Sequence, residues 1–276
     1  MMEALTQAFD LELTDKDHGQ GWAFGRPVGI TTDQWPRSRI NGLPMAHLWT
    51  ILVPEAYRVK GNDLVAISFF QADDHVEDRV GGVEDMITNL TEVNHTDAEN
   101  FWASLSRYAN HRHPQDIYLE DIYLEDIIGG GWALIWLTKE EFEGEATALP
   151  NKEDGVYPDY EIEEWSSTCF VKDEPAQFIQ HVVRIDDPNV GKMLDEWTEE
   201  GDENAYIPMF SEKGERLGLD RFHAKTHFGG TANPMQAMPE FSPFYIEFEE
   251  EFGDANMGGG NGQIDLLNDQ FDWACG

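Results

Sequence analysis

Leu64-Val65-Ala66-Ile67-Ser68-Phe69-Phe70 and Trp132-Ala133-Leu134-Ile135-Trp136-Leu137 decide the fold class. Each run is short and apolar at nearly every position. Gly61-Asn62-Asp63 bounds the first and Gly129-Gly130-Gly131 the second. Runs of this length between turn residues read as strands, and the second reads as a buried one. Working outward, Tyr160 to Val171, Ala176 to Ile185, Phe244 to Phe248 and Gly262 to Leu267 have the same character. Residues 83–108 read as helical, with Thr96 or Asp97 as cap and Phe101, Trp102, Leu105 and Tyr108 on one face. A further helix is predicted over 189–200, carrying Met193, Leu194 and Trp197. No regular βαβ alternation links these elements. The pattern predicts an α+β fold with mostly antiparallel sheets and helical insertions.

The remainder reads as connection. Residues 1–16 are expected to be a short helix or loose arm, and the stretch to Pro54 to be loop-rich, with Pro27, Pro36 and Pro44. Ile117-Tyr118-Leu119-Glu120-Asp121 is repeated immediately as Ile122-Tyr123-Leu124-Glu125-Asp126, a local duplication on a helix or extended arm. Residues 139–160 form an acidic connector. We expect one domain over residues 1–276, with a two-half organisation (17–140 and 160–276) across that connector.

Two segments look alike. Arg39-Ile40-Asn41-Gly42-Leu43-Pro44 precedes a spacer with Pro54 and the strand that ends at Gln71. Thr226-His227-Phe228-Gly229-Gly230, then Pro234-Met235-Gln236, precedes a spacer with Pro239 and the strand 244–248. Each is a glycine turn, a proline-bearing spacer and an apolar strand. A glycine lets the backbone take positive φ and re-enter a sheet. Two copies suggest a pseudo-duplicated domain.

This pairing, closed by Gly253-Asp254-Ala255-Asn256-Met257-Gly258-Gly259-Gly260-Asn261-Gly262, resembles the YwqG-like family of bacterial proteins. The likeness covers an early stretch of about 35 residues and a late one of about 50. It departs at Asn41, where the family's first glycine would stand. The resemblance implies a single α+β domain with antiparallel sheets. Some members sit in toxin–immunity gene neighbourhoods, so it also implies an immunity or antitoxin role. The family supplies no established catalytic residues to carry over.

Charge bounds the function. The chain has 54 acidic and 18 basic residues, a formal charge of -36 over 276 residues. Such a polyanion repels nucleic-acid phosphates and the anionic face of a membrane, so neither is an expected partner. It attracts cations. The 16 Phe, 9 Trp and 8 Tyr show that the acidity clothes a packed protein and not a disordered tail. High-salt adaptation is the competing explanation, and the 8 lysines fit it. Cys169 and Cys275 have no metal-ligand spacing. The N-terminus has no signal-peptide pattern, and no apolar run reaches membrane-spanning length. A cytoplasmic protein is expected.

No motif of comparable strength announces chemistry. Gly258-Gly259-Gly260-Asn261-Gly262 lacks the Walker lysine and follows Glu249, Glu250, Glu251 and Asp254, so it reads as a tight turn. His111-Arg112-His113 with Asp116 is a possible metal set on a strand, but here it lies in a proline-containing loop. Asp73, Asp74 and His75 with Glu77 and Asp78 lack calcium-loop spacing. Ser166, Ser167, Cys169 and His181 have no nucleophile-elbow context. Paired carboxylates for glycoside chemistry exist among Glu161, Glu163 and Glu164 and from Glu247 to Glu251, but among 54 acids pairs are common.

We therefore expect no catalytic residue, no metal and no cofactor. The expected activity is that of an immunity-type protein that occludes a basic protein toxin. Its contact face is assigned to Asp73, Asp74, Glu77, Asp78, Glu247, Glu249, Glu250, Glu251 and Asp254. The alternatives are a carboxylate-dependent hydrolase acting on carbohydrate and a salt-adapted domain with no specific partner.

Overall fold

In the computed structural model, residues 4–72, 79–89, 98–121, 131–150, 175–194 and 205–276 are described. They build a 12-stranded sheet. In chain order the strands are β1 (Phe9–Thr14), β2 (Gly21–Ala23), β3 (Ala46–Leu52), β4 (Leu64–Ala72), β5 (Asp116–Tyr118), β6 (Glu120–Asp121), β7 (Gly131–Thr138), β8 (Gln177–Val183), β9 (His227–Phe228), β10 (Tyr245–Glu249), β11 (Asn261–Asp265) and β12 (Gln270–Ala274). Their spatial order is β5-β7-β4-β3-β2-β8-β1-β9-β10-β11-β12-β6. The β12–β6 pair is parallel and the other pairs are antiparallel. The helices are α1 (Val83–Asn89), α2 (Glu99–His111), α3 (Lys139–Phe142) and α4 (Glu212–Leu217). The sheet-rich α+β reading holds.

The end strands β5 and β6 are separated only by Leu119. One stretch, Asp116 to Asp121, thus pairs with β7 on one side and β12 on the other. Leu119 N–H donates to the Trp132 carbonyl at 2.9 Å. Across the same seam the Trp132 ring centre lies 4.4 Å from that of Phe271. The sheet therefore comes round on itself, and the first copy of the tandem repeat is the strip that joins its ends.

The two opening stretches alternate as strands must. Trp132, Leu134 and Trp136 point into the enclosed core with Trp49, Phe69, Phe248 and Phe271. Ala133, Ile135 and Leu137 point outward, where Val28, Ile30, Trp35 and Met45 cover them. Both faces are dry, which is why these runs are apolar at almost every position. A bulge between Leu64 and Ala66 shifts the β4–β7 register at its start.

Several expectations change. Residues 1–16 contain strand β1, and Phe9, Leu11 and Leu13 supply its period of two. The stretch to Pro54 contains β3, where Ala46 to Ile51 are buried. Pro44 and Pro54 bracket that strand without entering it. The helical stretch 83–108 begins with α1 and resumes as α2. The expected apolar face of α2 is buried, but Ala98, in left-handed conformation, occupies the N-cap position. Thr96 and Asp97 lie outside the described residues. Residues 189–194 form turns and coil, not the start of a helix. The expected strand 160–171, Glu161, Glu163, Glu164, Ser166, Ser167, Cys169 and Trp197 lie outside the described residues. Among the described residues, no helix is long and apolar enough to cross a membrane.

Candidate functional site

On β9 to β12 the inner side chains are apolar: Phe228, Ile246, Ile264 and Phe271 stand in register and join the core. One residue along, the outer row is His227, Glu247, Gln263 and Asp272. All four are buried. The sheet thus has an apolar inner face and a polar outer face, both removed from water. Glu249 and Asn261 form the next outer pair, and Tyr245 and Asp265 the one on the other side.

The segment from Gly229 to Ser242 covers this polar face, and the sheet's side chains hold its backbone. Asn233 N–H donates to both oxygens of Glu247, at 2.9 and 3.0 Å. Asn261 accepts from Met235 N–H at 3.1 Å and donates to the Asn233 carbonyl at 2.7 Å. Asp265 accepts from Ser242 N–H at 2.8 Å and from its hydroxyl at 2.6 Å. Tyr245 donates to the Gly230 carbonyl at 2.7 Å. Burying carboxylates is tolerated here because each receives donors.

At the centre, His227 Nδ1 faces the Gly229 carbonyl at 2.8 Å, and its Nε2 faces Glu247 Oε1 at 3.1 Å. The carbonyl requires a proton on Nδ1, so Nε2 of the neutral ring is an acceptor, and a hydrogen bond to Oε1 there draws on the carboxyl proton. Gln263 Nε2 donates to Glu247 Oε2 at 3.0 Å. Burial pushes the Glu247 carboxyl up to about 7. Burial also holds His227 well below the usual imidazole range. Below about pH 7 both directions favour a neutral carboxyl beside a neutral imidazole. Glu249 is half-buried. Burial first, and then the neighbouring Glu247, push it up to about 7 as well. This row can hold protons near neutral pH, and Glu249 is the member that meets solvent.

A second buried network lies beside it. Arg184 donates to Asp10, to Asp187 and to the Thr231 carbonyl. Asp187 also receives Thr231 N–H and hydroxyl, each at 2.8 Å. Lys225 donates to Asp10 at 2.9 Å. These ties bind β1, the end of β8 and the start of the covering segment.

The expected contact face divides. Glu247 is fully buried, so it forms no part of a docking surface: its carboxylate is spent on a neighbouring backbone. Glu250 folds back to accept from Met257 N–H and Gly259 N–H, both at 2.8 Å. Glu251 and Asp254 are exposed. Asp73, Asp74, Glu77 and Asp78 lie outside the described residues. His111 and His113 part company: His111 Nδ1 meets the Arg107 carbonyl and His113 Nε2 meets Glu141. Among the described residues, no group of three or more His, Cys, Asp and Glu is arranged to hold a metal. Cys275 is free and exposed. Half-buried His181 packs between Phe9 and Phe228.

Sequence reading missed His227, Asn261, Gln263 and Asp265 as one constellation. Their signal is the period of two in Tyr-Ile-Glu-Phe-Glu (245–249) and Asn-Gly-Gln-Ile-Asp (261–265), ordinarily the mark of a solvated outer face. Comparison with family models, with curated proteins and with solved structures returned no match.

Proposed function

We propose that this protein is an immunity-type inhibitor that neutralises a cationic protein toxin by occluding it. One observation carries the reading, namely where the acids sit. The buried carboxylates Asp10, Asp187, Glu247 and Asp265 are taken up by internal donors. Glu12, Asp15, Asp17, Asp63, Glu145, Asp186, Glu240, Glu251 and Asp254 are exposed. The 54 acids outnumber the 18 basic residues threefold, so the surface carries an excess of negative charge. Such a field accelerates encounter with a basic protein. Phe210 and Ile185, 62% and 74% exposed, supply apolar surface for anchoring. The YwqG-like resemblance points the same way.

We also read the two glycine turns as copies of one unit. Gly42 in the first and Gly229 and Gly230 in the second all have positive φ. Asn41 does not need it, so the departure from the family pattern falls where asparagine is tolerated.

The test is co-expression with the product of the neighbouring reading frame. Rescue of growth and a stable complex on gel filtration are expected. A neighbour that is harmless, or that kills despite this protein, ends the proposal.

The second reading, carboxylate-dependent hydrolysis of carbohydrate, draws on the raised carboxyls of Glu247 and Glu249 on one strand face. It requires turnover of a glycoside that Glu249→Gln abolishes. Salt-adapted stability without a partner is the third reading, and it requires that no complex form.

A further inference from the structure

Cations are scarce in this chain, yet two of its ten arginines converge on one tyrosine. The Arg39 guanidinium lies 5.1 Å from the centre of the Tyr118 ring. That of Arg112 lies 4.9 Å from the same centre. The two guanidinium carbons are therefore no more than about 10 Å apart. Arg39 rides on the turn Ser38–Leu43, which is closed by Ser38 N–H to the Leu43 carbonyl at 2.8 Å and Gly42 N–H to the Ser38 carbonyl at 3.0 Å. Arg112 ends α2 and is held by Asp116: Nε donates to its carboxylate at 3.1 Å and Nη2 to its carbonyl at 3.0 Å. Tyr118 is fixed in turn, donating to the Arg37 carbonyl at 2.6 Å.

Asp116 engages Arg112. Among the described residues Arg39 makes no ion pair and no hydrogen bond, although it is half-buried in a chain with three acids for each base. Stacking on an aromatic face leaves all its N–H groups available in the guanidinium plane. Two half-buried like charges within this distance repel each other, and an anion between them would offset that repulsion.

We propose that Arg39 and Arg112, braced on Tyr118, form a binding niche for a small oxyanion, a carboxylate or a phosphate group. Guanidinium recognises both by paired N–H···O bonds. The Asp116 carboxylate is already engaged by Arg112 and by the Tyr108 hydroxyl, so it opposes an incoming anion less than a free carboxylate would. The overall negative field works against anions at long range, and physiological salt screens it beyond about 8 Å. The niche is independent of the proposed inhibitor role and stands or falls separately.

The test uses the full-length protein at constant ionic strength, with inorganic phosphate, acetate and chloride as probes. Calorimetric titration and melting midpoints are the readouts. Phosphate or acetate is expected to bind and raise the midpoint where chloride does not. Saturation by phosphate alone assigns a phosphate-bearing ligand, and saturation by acetate as well assigns a carboxylate. Arg39→Gln is expected to weaken binding about tenfold or more. Arg39→Lys should recover only part of it. The proposal is overturned if neither oxyanion differs from chloride, or if Arg39→Gln binds as tightly as the unaltered protein.

Discussion

Glu247 and His227 share a proton in a place water does not reach, and that has a consequence for stability. In the unfolded chain Glu247 titrates near 4.5, and in the folded chain near 7. Between those values the folded state holds a proton that the unfolded state lacks. Its stabilising contribution is therefore complete below pH 4.5 and is lost as pH rises through 7. His227 is depressed, so its contribution runs the other way: present above the ordinary 6.5 and lost as pH falls. Glu247→Gln removes the first and keeps the second. Its deficit against the unaltered protein should be largest at acid pH and shrink toward neutrality, read from urea midpoints between about pH 4.5 and 8. A deficit independent of pH would mean the dyad holds no such proton. Backbone shape gives a second prediction at this scale. A Cβ on Gly229 would lie 2.2 Å from the Tyr57 hydroxyl, at φ +59. Tyr57 cannot retreat without giving up its bond to the Gln7 carbonyl. Gly229→Ala should therefore cost about 3 kcal/mol or more. Gly259 has φ +82 and nothing within 4 Å, so Gly259→Ala should cost only about 1 kcal/mol. Thermal melts of the two variants distinguish open space from contact.

The strip from Asp116 to Asp121 is the element on which closure of the sheet depends. Leu119 at its middle is buried in the main core and bonded to β7. Leu119→Ala should cost about 2–4 kcal/mol. The loss should appear first as faster amide exchange in β12 and β7, with the β1–β8 pair unaffected. Uniform acceleration across all strands would show that the strip is not a separate seam. This element also shows what sequence reveals. Strands with a dry face on both sides, β4 and β7, announce themselves, because almost every position is apolar and buried Ser68 in β4 is matched by the Thr50 hydroxyl at 2.7 Å. Strand β1 does not: Phe9, Leu11 and Leu13 alternate with acids, and three such repeats suit an arm as well as an edge. Strand β3 was hidden by its prolines, which stand at its two ends. The polar row of β9 to β11 was read with the wrong solvent. Glu247, Gln263 and Asn261 carry the alternation of a wet face, but the segment Gly229 to Ser242 covers them. No local pattern tells a carboxylate that meets water from one that meets a distant backbone N–H. The Arg39–Arg112 pair, 73 positions apart in sequence, was invisible for the same reason.

Over the whole molecule the surface excess of acid sets two responses to salt, and they oppose one another. Self-repulsion weakens the folded state, so stability should rise as the Debye length falls from about 30 Å at 0.01 M to about 3 Å at 1 M. That rise alone is what salt adaptation without a partner would give. An inhibitor steered by charge must also lose speed. Its association rate with the cognate basic protein should fall across the same range while the dissociation rate holds nearly constant, because anchoring contacts and not the field set the lifetime of the complex. Glu251 and Asp254 are the exposed members of the late acidic cluster, and both can be changed without touching the buried row. Glu251→Lys with Asp254→Asn keeps a residue that tolerates the left-handed backbone at position 254, where φ is +59. The double variant should associate several-fold more slowly at low salt and converge with the parent near 0.5 M, where screening extends only about 4–5 Å. Parallel salt curves for variant and parent would remove this cluster from the steering surface. A flat curve for the parent itself would leave its acidity to the needs of solubility or salt alone.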